Sequence, residues 1–209
     1  MEPSTWLAFF AASWAISISP GAGAVAAMSA GARHGFVRGY PLTIGLVLGI
    51  WTQVLAVAIG VGALIATSAL AFAVVKWVGV AYLLWLGISH WRAPARPLVA
   101  DAASAELARP LAMVLRGWAV NAVNPKGTVF LLAVVPQFLD LARPLGTQYL
   151  WIAATLGFTD LVVMAVYTAL GAQLLRALKE PGQIRWINRC FGGLFVGVAA
   201  LLATVRRGG

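Results

Sequence analysis

Six stretches of this chain are each long and apolar enough to cross a lipid bilayer: Trp6–Met28, Leu42–Ile65, Leu70–Trp91, Leu111–Pro136, Tyr149–Leu170 and Ile187–Val205. A spanning helix needs about 20 predominantly apolar residues, so these stretches absorb most of the 209 residues and leave little for a soluble domain. Composition points the same way. Hydrophobic residues make up 61% of the chain and charged residues 10%, against roughly 45–50% and about 25% in soluble domains. No soluble core of this length could hide so much apolar surface. The expected fold is an all-α integral membrane protein with one membrane domain over residues 1–209 and six transmembrane helices. The first stretch follows Met1-Glu2-Pro3 without a basic run, and is expected to be a retained helix and not a cleaved signal peptide. A single cysteine, Cys190, excludes an intramolecular disulfide.

A formal net charge of +9 could suggest a nucleic-acid partner, but the basic residues sit at helix ends. Arg33 and Arg38 follow the first stretch; Arg92, Arg96, Arg109 and Arg116 surround the third connection; Arg176, Lys179, Arg185 and Arg189 surround the fifth. The remaining connections carry Arg143 beside Asp140, and the uncharged turn Ala66-Thr67-Ser68-Ala69. Positive residues favour the cytoplasm, which places the three basic loops inside and both termini outside. Arg206 and Arg207 run against this bias and are outnumbered. No nucleic-acid partner is expected, and the bilayer takes its place. Trp6, Trp77 and Trp151 near outer ends, and Trp91, Trp118 and Trp186 near inner ends, suit anchoring among headgroups. Trp51 and Trp85 lie deeper and read as packing residues.

Two of the six stretches contain a helix break: Ser19-Pro20-Gly21 in the first and Asn124-Pro125-Lys126-Gly127 in the fourth. Proline lacks a backbone donor and clashes with the preceding turn. Within a membrane such a break is tolerated where protein or a water-filled cavity satisfies the freed groups. The breaks fall at matching places in two halves, about 1–92 and 110–209, joined by a proline-rich and charged linker over 93–109 with Pro94, Pro97, Asp101 and Glu106. Sliding one half over the other also matches Arg38 with Arg143 and, after a two-residue adjustment, Trp51-Thr52-Gln53 with Phe158-Thr159-Asp160. Three helices per half force opposite orientations, giving a 3+3 inverted repeat with broken helices 1 and 4, an arrangement common in alternating-access carriers.

The breaks also nominate a site. Small residues follow each proline, Gly21 and Gly23 in one case and Gly127 and Thr128 in the other, so unused N–H groups at these helix starts could face a substrate carboxylate. Lys126 would add a full positive charge, and Asn121 and Asn124 amide donors and acceptors. The candidate substrate-binding set is therefore Ser19, Pro20, Gly21, Gly23, Asn121, Asn124, Pro125, Lys126, Gly127 and Thr128, with Gln53 as a further polar residue that either joins the cavity or bonds between helices. The competing reading is a pair of structural kinks repaired locally by Ser19 and Asn124. Asp160 lies near the middle of helix 5. A charged residue there costs roughly 2.5–3.5 kcal/mol on insertion scales, so it should face the bundle interior. Its expected role is proton coupling or ammonium binding, the alternative being a fixed pair that holds helices together.

Other features carry less. Gly45-x-x-x-Gly49 and Gly193-x-x-x-Gly197 permit close helix approach, within the chain or in a homo-oligomer. Lys76 beside Trp77 is expected to snorkel. His34 and His90 are far apart in sequence, and neither a zinc-ligand cluster nor a phosphate loop nor a paired nucleophile and base is present. No metal, cofactor or enzymatic activity is expected.

With these residues in view the chain resembles the LysE/RhtB family of bacterial amino-acid exporters. The segments that carry the likeness are Ser19-Pro20-Gly21; Ala32-Arg33-His34-Gly35; Lys76–Gly87 with Gly79-x-x-Tyr82-Leu83-x-x-Leu86-Gly87; Asn121-x-x-Asn124-Pro125-Lys126; and Trp186-Ile187-Asn188-Arg189 leading to Gly192-Gly193. The resemblance implies a multi-pass carrier of the bacterial cytoplasmic (inner) membrane that expels an amino acid or close derivative using protons. The family usually reads Pro-Gly-Pro at the first break, where this chain has Ala22, which implies a softer break. The alternatives are an exporter of another small solute or cation, which should show more intramembrane carboxylates or thiols, and a membrane scaffold or enzyme, which would need neither two breaks nor Asp160.

Overall fold

The computed structural model describes residues 1–67, 69–94, 109–171, 173 and 180–204, and these are helical with no strand among them. The helices are α1 (Pro3–Ile18), α2 (Ala22–Gly39), α3 (Pro41–Thr67), α4 (Ala69–Arg92), α5 (Pro110–Ala122), α6 (Pro125–Val134) with a following 3-10 turn (Val135–Phe138), α7 (Leu145–Ala169) and α8 (Pro181–Thr204). Proline opens α1, α3, α5, α6 and α8. There its missing N–H costs nothing, because the first N–H groups of a helix have no intrahelical partner, and its fixed φ suits the first turn. Most of the expected linker, with Arg96, Pro97, Asp101 and Glu106, lies outside the described residues, as do Ser68, Arg176, Lys179, Arg206 and Arg207.

Pro41–Gly60 of α3 and the whole of α7 are each long and apolar enough to cross a membrane. The pairs α1–α2 and α5–α6 meet the same measure when each is taken as one bent span, with bends of 57° and 51°. The break next to Ala22 is thus no softer than the other. The first proline and the extended Gly21 (φ −154, ψ −167) are enough to turn the chain. Gly35, at φ 73, adopts a left-handed conformation inside α2 and lets the Ala32–Gly35 segment redirect the helix.

The interior has two apolar clusters. One gathers Phe9, Leu83, Leu131, Ile152, Leu156 and Phe195; the other gathers Ala27, Leu42, Leu46, Met113, Val163 and Met164. Between them run close helix contacts made by glycine. A Cβ on Gly45 would strike the Val114 carbonyl, and one on Gly117 the Leu42 carbonyl, so α3 and α5 meet backbone to backbone. Gly87 and Gly192 do the same for α4 and α8. The Gly45-x-x-x-Gly49 motif therefore serves packing within the chain, whereas Gly193 and Gly197 have nothing within 4 Å of an added Cβ.

The outward faces are apolar. Leu7, Leu55, Ile59, Leu70 and Leu150 are more than half exposed, as suits a helix bundle surrounded by lipid. Trp85 corrects the expectation of a packing residue, and Trp51 meets it only with one edge, against α7. Trp85 is 59% exposed and leans against Tyr82 at a 31° tilt, while Trp51 is 43% exposed, packs over Gly157 and donates its indole N–H to the Ala153 carbonyl at 2.9 Å. Both rings belong to the outer surface.

Candidate functional site

Each break proline removes the N–H that would have bonded the carbonyl four residues upstream. For Pro20 that carbonyl belongs to Ile16, and for Pro125 it belongs to Asn121. The two carbonyls are served by different chemistry, Asn121 O also accepting from Asn124 N at 3.1 Å. Lys126 reaches from the start of α6 to the end of α1, where its ammonium donates to Ser19 O at 2.5 Å and to Ile16 O at 3.3 Å. The Tyr167 hydroxyl donates to the neighbouring Ile18 O at 2.5 Å. At the second break the Gln53 amide of α3 donates to Asn121 O at 2.7 Å and to Asn124 O at 2.9 Å.

The helix starts beyond the prolines differ as well. Asn124 caps α6, its side-chain oxygen accepting from Lys126 N at 3.1 Å, and the Thr128 hydroxyl bonds back to Asn124 O at 3.2 Å. Asn121 donates its amide to Leu46 O at 2.7 Å and ties the break to α3. The α2 start has no side-chain cap. Its first N–H groups, from Ala22 to Ala24, precede the first intrahelical bond, Val25 N to Gly21 O at 3.0 Å. The hydroxyl of Ser19, 2% exposed, has no hydrogen-bond partner.

These groups converge on a cavity of about 50 Å³ where the two apolar clusters meet. Ser19, Gly21, Gly23, Asn121, Asn124, Lys126, Gly127 and Asp160 all line it. Leu46 and Met164 from one cluster, and Ile50, Phe130 and Leu156 from the other, complete its walls. At about 10–15 Å³ of accessible volume per water, it has room for a few waters and must widen to admit an amino acid.

Asp160, 9% exposed, faces this cavity from α7. Ser17 of α1 donates to its Oδ1 at 2.6 Å and lies 3.1 Å from the Thr159 hydroxyl. Lys126 and Asp160 are the charged side chains lining the cavity, and each feels the other's charge, yet they form no ion pair within 4 Å.

Four residues of the candidate set lie outside the lining. Pro20 and Pro125 shape the backbone behind it. Thr128 is turned back onto Asn124 O, and Gln53 is held behind Gly127 as a brace, so close that a Cβ on Gly127 would sit 2.5 Å from its Oε1. Sequence reasoning missed Ser17 and Tyr167. Ser17 had a signal: Ser13 and Ser17 on α1, and Thr155 and Thr159 on α7, recur at a four-residue spacing that stacks them on one helix face.

Residues 14–206 match the model of a family described as LysE type translocator. A membrane protein of Vibrio cholerae, described as uncharacterized, is 41% identical over 206 residues, covering 99% of this chain and 100% of the other. The homoserine/homoserine lactone efflux protein of Salmonella typhimurium is 38% identical over 201 residues, covering 96% and 97%. The leucine efflux protein of an Enterobacter species is 33% identical over 194 residues, covering 91% and 90%. No solved structure matches.

Proposed function

The chain belongs to the LysE type translocator family, and on that premise we propose that it exports an amino acid or close derivative from the cytoplasm through the cavity at the two breaks. Members of the family are translocators, so the chain is a membrane transporter and not an enzyme. The observation that carries the finer reading is convergence. Residues 107 positions apart, Ser19 and Lys126, meet in a hydrogen bond, and Asp160 joins them from a third helix. A scaffold has no use for a buried acid and a half-buried base that share a cavity without pairing.

In this reading the six apolar stretches are six spans in a single domain of two inverted halves, in the bacterial inner membrane. The first basic connection is cytoplasmic, and Asp140 and Arg143 lie outside. Helix pairing supports the repeat. The first span packs on α7 and the fourth on α3, while α3 meets α7 and α4 meets α8, a pattern that survives exchange of the halves. Proton-driven alternating access would then pivot the halves about the cavity, with Asp160 carrying the proton.

Leucine, homoserine and homoserine lactone, taken from the relatives' names, share a primary amine on the carbon next to a carbonyl carbon. That unit is the expected common denominator of the substrate. The test is efflux from proteoliposomes preloaded with a panel that includes these three compounds, with and without an imposed proton gradient. Gradient-dependent export of at least one is expected. Equal leakage from liposomes lacking the protein would overturn the reading.

A further inference from the structure

We propose that the Lys126 ammonium is a built-in competitor of the substrate amine: it occupies the α1 carbonyl seat that a substrate ammonium takes when Lys126 moves to Asp160. This deepens the exporter reading and rests on it.

The seat is defined by what fills it. Pro20 leaves Ile16 O without its helical donor, and the ammonium within reach of Ile16 O and Ser19 O supplies the missing hydrogen bonds. These carbonyls are at the C-terminal end of α1, which carries partial negative charge and favours a cation. Buried carbonyls in a membrane interior must stay satisfied, so Lys126 can leave when another donor replaces it. A substrate ammonium has three N–H donors and the same charge. Beside the seat stand the uncapped start of α2 and the Ser19 hydroxyl, which is buried without a partner and lines the cavity. They are donors suited to the adjacent carbonyl or carboxylate oxygen of the same molecule. One end of the break thus takes the amine and the other the oxygen.

Asp160 decides which ammonium sits there. It shares the cavity with Lys126 without an ion pair. Among the lining residues α1 offers it Ser17, and α2, α3 and α5 contribute glycine, apolar or amide positions, so its charged neighbour is Lys126 on α6. When the site opens inward and the proton on Asp160 leaves to the cytoplasm, the carboxylate draws Lys126 and vacates the carbonyls for substrate. When it opens outward and Asp160 takes a proton from the exterior, Lys126 loses that partner, returns to Ile16 O and Ser19 O, and displaces the amine. One proton enters as one amine leaves.

The experiment measures competition for binding of labelled L-leucine to the purified, reconstituted protein. Leucinamide is expected to compete within about threefold of leucine, because it keeps the amine and the carbonyl oxygen. N-acetyl-leucine and the deaminated acid are expected to be weaker by about tenfold or more, each having lost the charge-assisted contact of the amine. In Lys126→Met, leucine and leucinamide should bind as well as before or severalfold tighter, with a flattened pH dependence. N-acetyl-leucine competing as well as leucine would overturn the proposal. So would a tenfold loss in Lys126→Met confined to leucine, which would place Lys126 on the carboxylate. The analogue series needs no variant, so a Lys126→Met protein that fails to fold leaves the test intact. Export of leucine with the analogue ranking reversed sinks the seat alone, whereas export of no panel member sinks the exporter reading as well.

Discussion

The two breaks pose one chemical problem and solve it with different materials. Pro20 and Pro125 each take the helical donor from the carbonyl four residues earlier. The first is met by a cation borrowed from the other half of the chain, and the second by the neutral amide of Gln53, buried and held at both Asn121 O and Asn124 O. A neutral amide bonded at two points is a permanent strut. A cation on a flexible stem can be exchanged for another cation. Sequence symmetry between the breaks therefore conceals a division of labour: the second break has a capped helix start and a Gln53 brace whose own Oε1 is buried without a partner, while the first leaves an open helix start and an orphaned hydroxyl. The symmetric part is the backbone geometry, and the asymmetric part is the chemistry.

The contrast breaks most visibly at Asp160, the acid that faces the exchangeable side. Asp160→Asn preserves the side-chain shape and its bond to Ser17 but cannot release a proton. Proton-driven efflux is expected to fall to the level of empty liposomes, while the variant still inserts and elutes as the parent does. Export at the parental rate with the parental pH dependence would reduce Asp160 to a structural role. The strut comes next. Gln53→Leu removes the amide donor shared by Asn121 O and Asn124 O, which keep the backbone donors Asn124 N and Thr128 N, so it forfeits about 0.5–1.5 kcal/mol per hydrogen bond and should lower thermal stability in detergent. Removing the Lys126 ammonium should cost less stability, because water in the cavity can reach the carbonyls it vacates. If Lys126→Met proves the more unstable variant, the assignment of strut and exchangeable plug is reversed.

Smaller effects sharpen the picture. Ser17→Ala removes one hydrogen bond to Asp160, about 1 kcal/mol or roughly fivefold in export rate, and its signature should be a displaced pH profile of efflux. An unchanged profile would mean that Ser17 only packs α1 on α7. Ala22→Pro should be nearly neutral, within about 0.5–1 kcal/mol. The position opens α2, where an N–H has no helical partner, and Gly21 before it is already extended. A large loss of export would mean that the Ala22 N–H itself holds substrate.

The sequence alone announces what depends on composition and on chain-breaking residues. The apolar stretches, both breaks and the burial of Asp160 are legible because bilayer length, proline chemistry and the insertion cost of a carboxylate act locally. What it withholds is direction. Nothing in the spacing says that Gln53 turns its amide to the second break and Lys126 its ammonium to the first, because the two lie on different helices and their targets are backbone atoms common to every residue. Trp85 misleads for a related reason: depth along a helix is readable from the ends, but the face a ring occupies is set by the neighbouring helix. Ser17 was within reach through its four-residue repeat with Ser13, but needed knowledge that α1 lies on α7.

The glycine contacts between α3 and α5 set the mechanics of any motion. Gly45, Gly49 and Gly117 form notches that seat the opposing backbone, and Asn121 pins the same pair through Leu46 O. Sliding these helices by one turn would drive Pro41 or Gln53, four residues from Gly45 and Gly49, against a surface with room for a hydrogen atom. The pair therefore cannot ratchet along its length, and it behaves as a keyed shaft. Whatever travels during opening must travel around it, and the first span, seated by Gly31 against the Thr168 carbonyl of α7, would move with α7 once the Lys126 ammonium of α6 lets go.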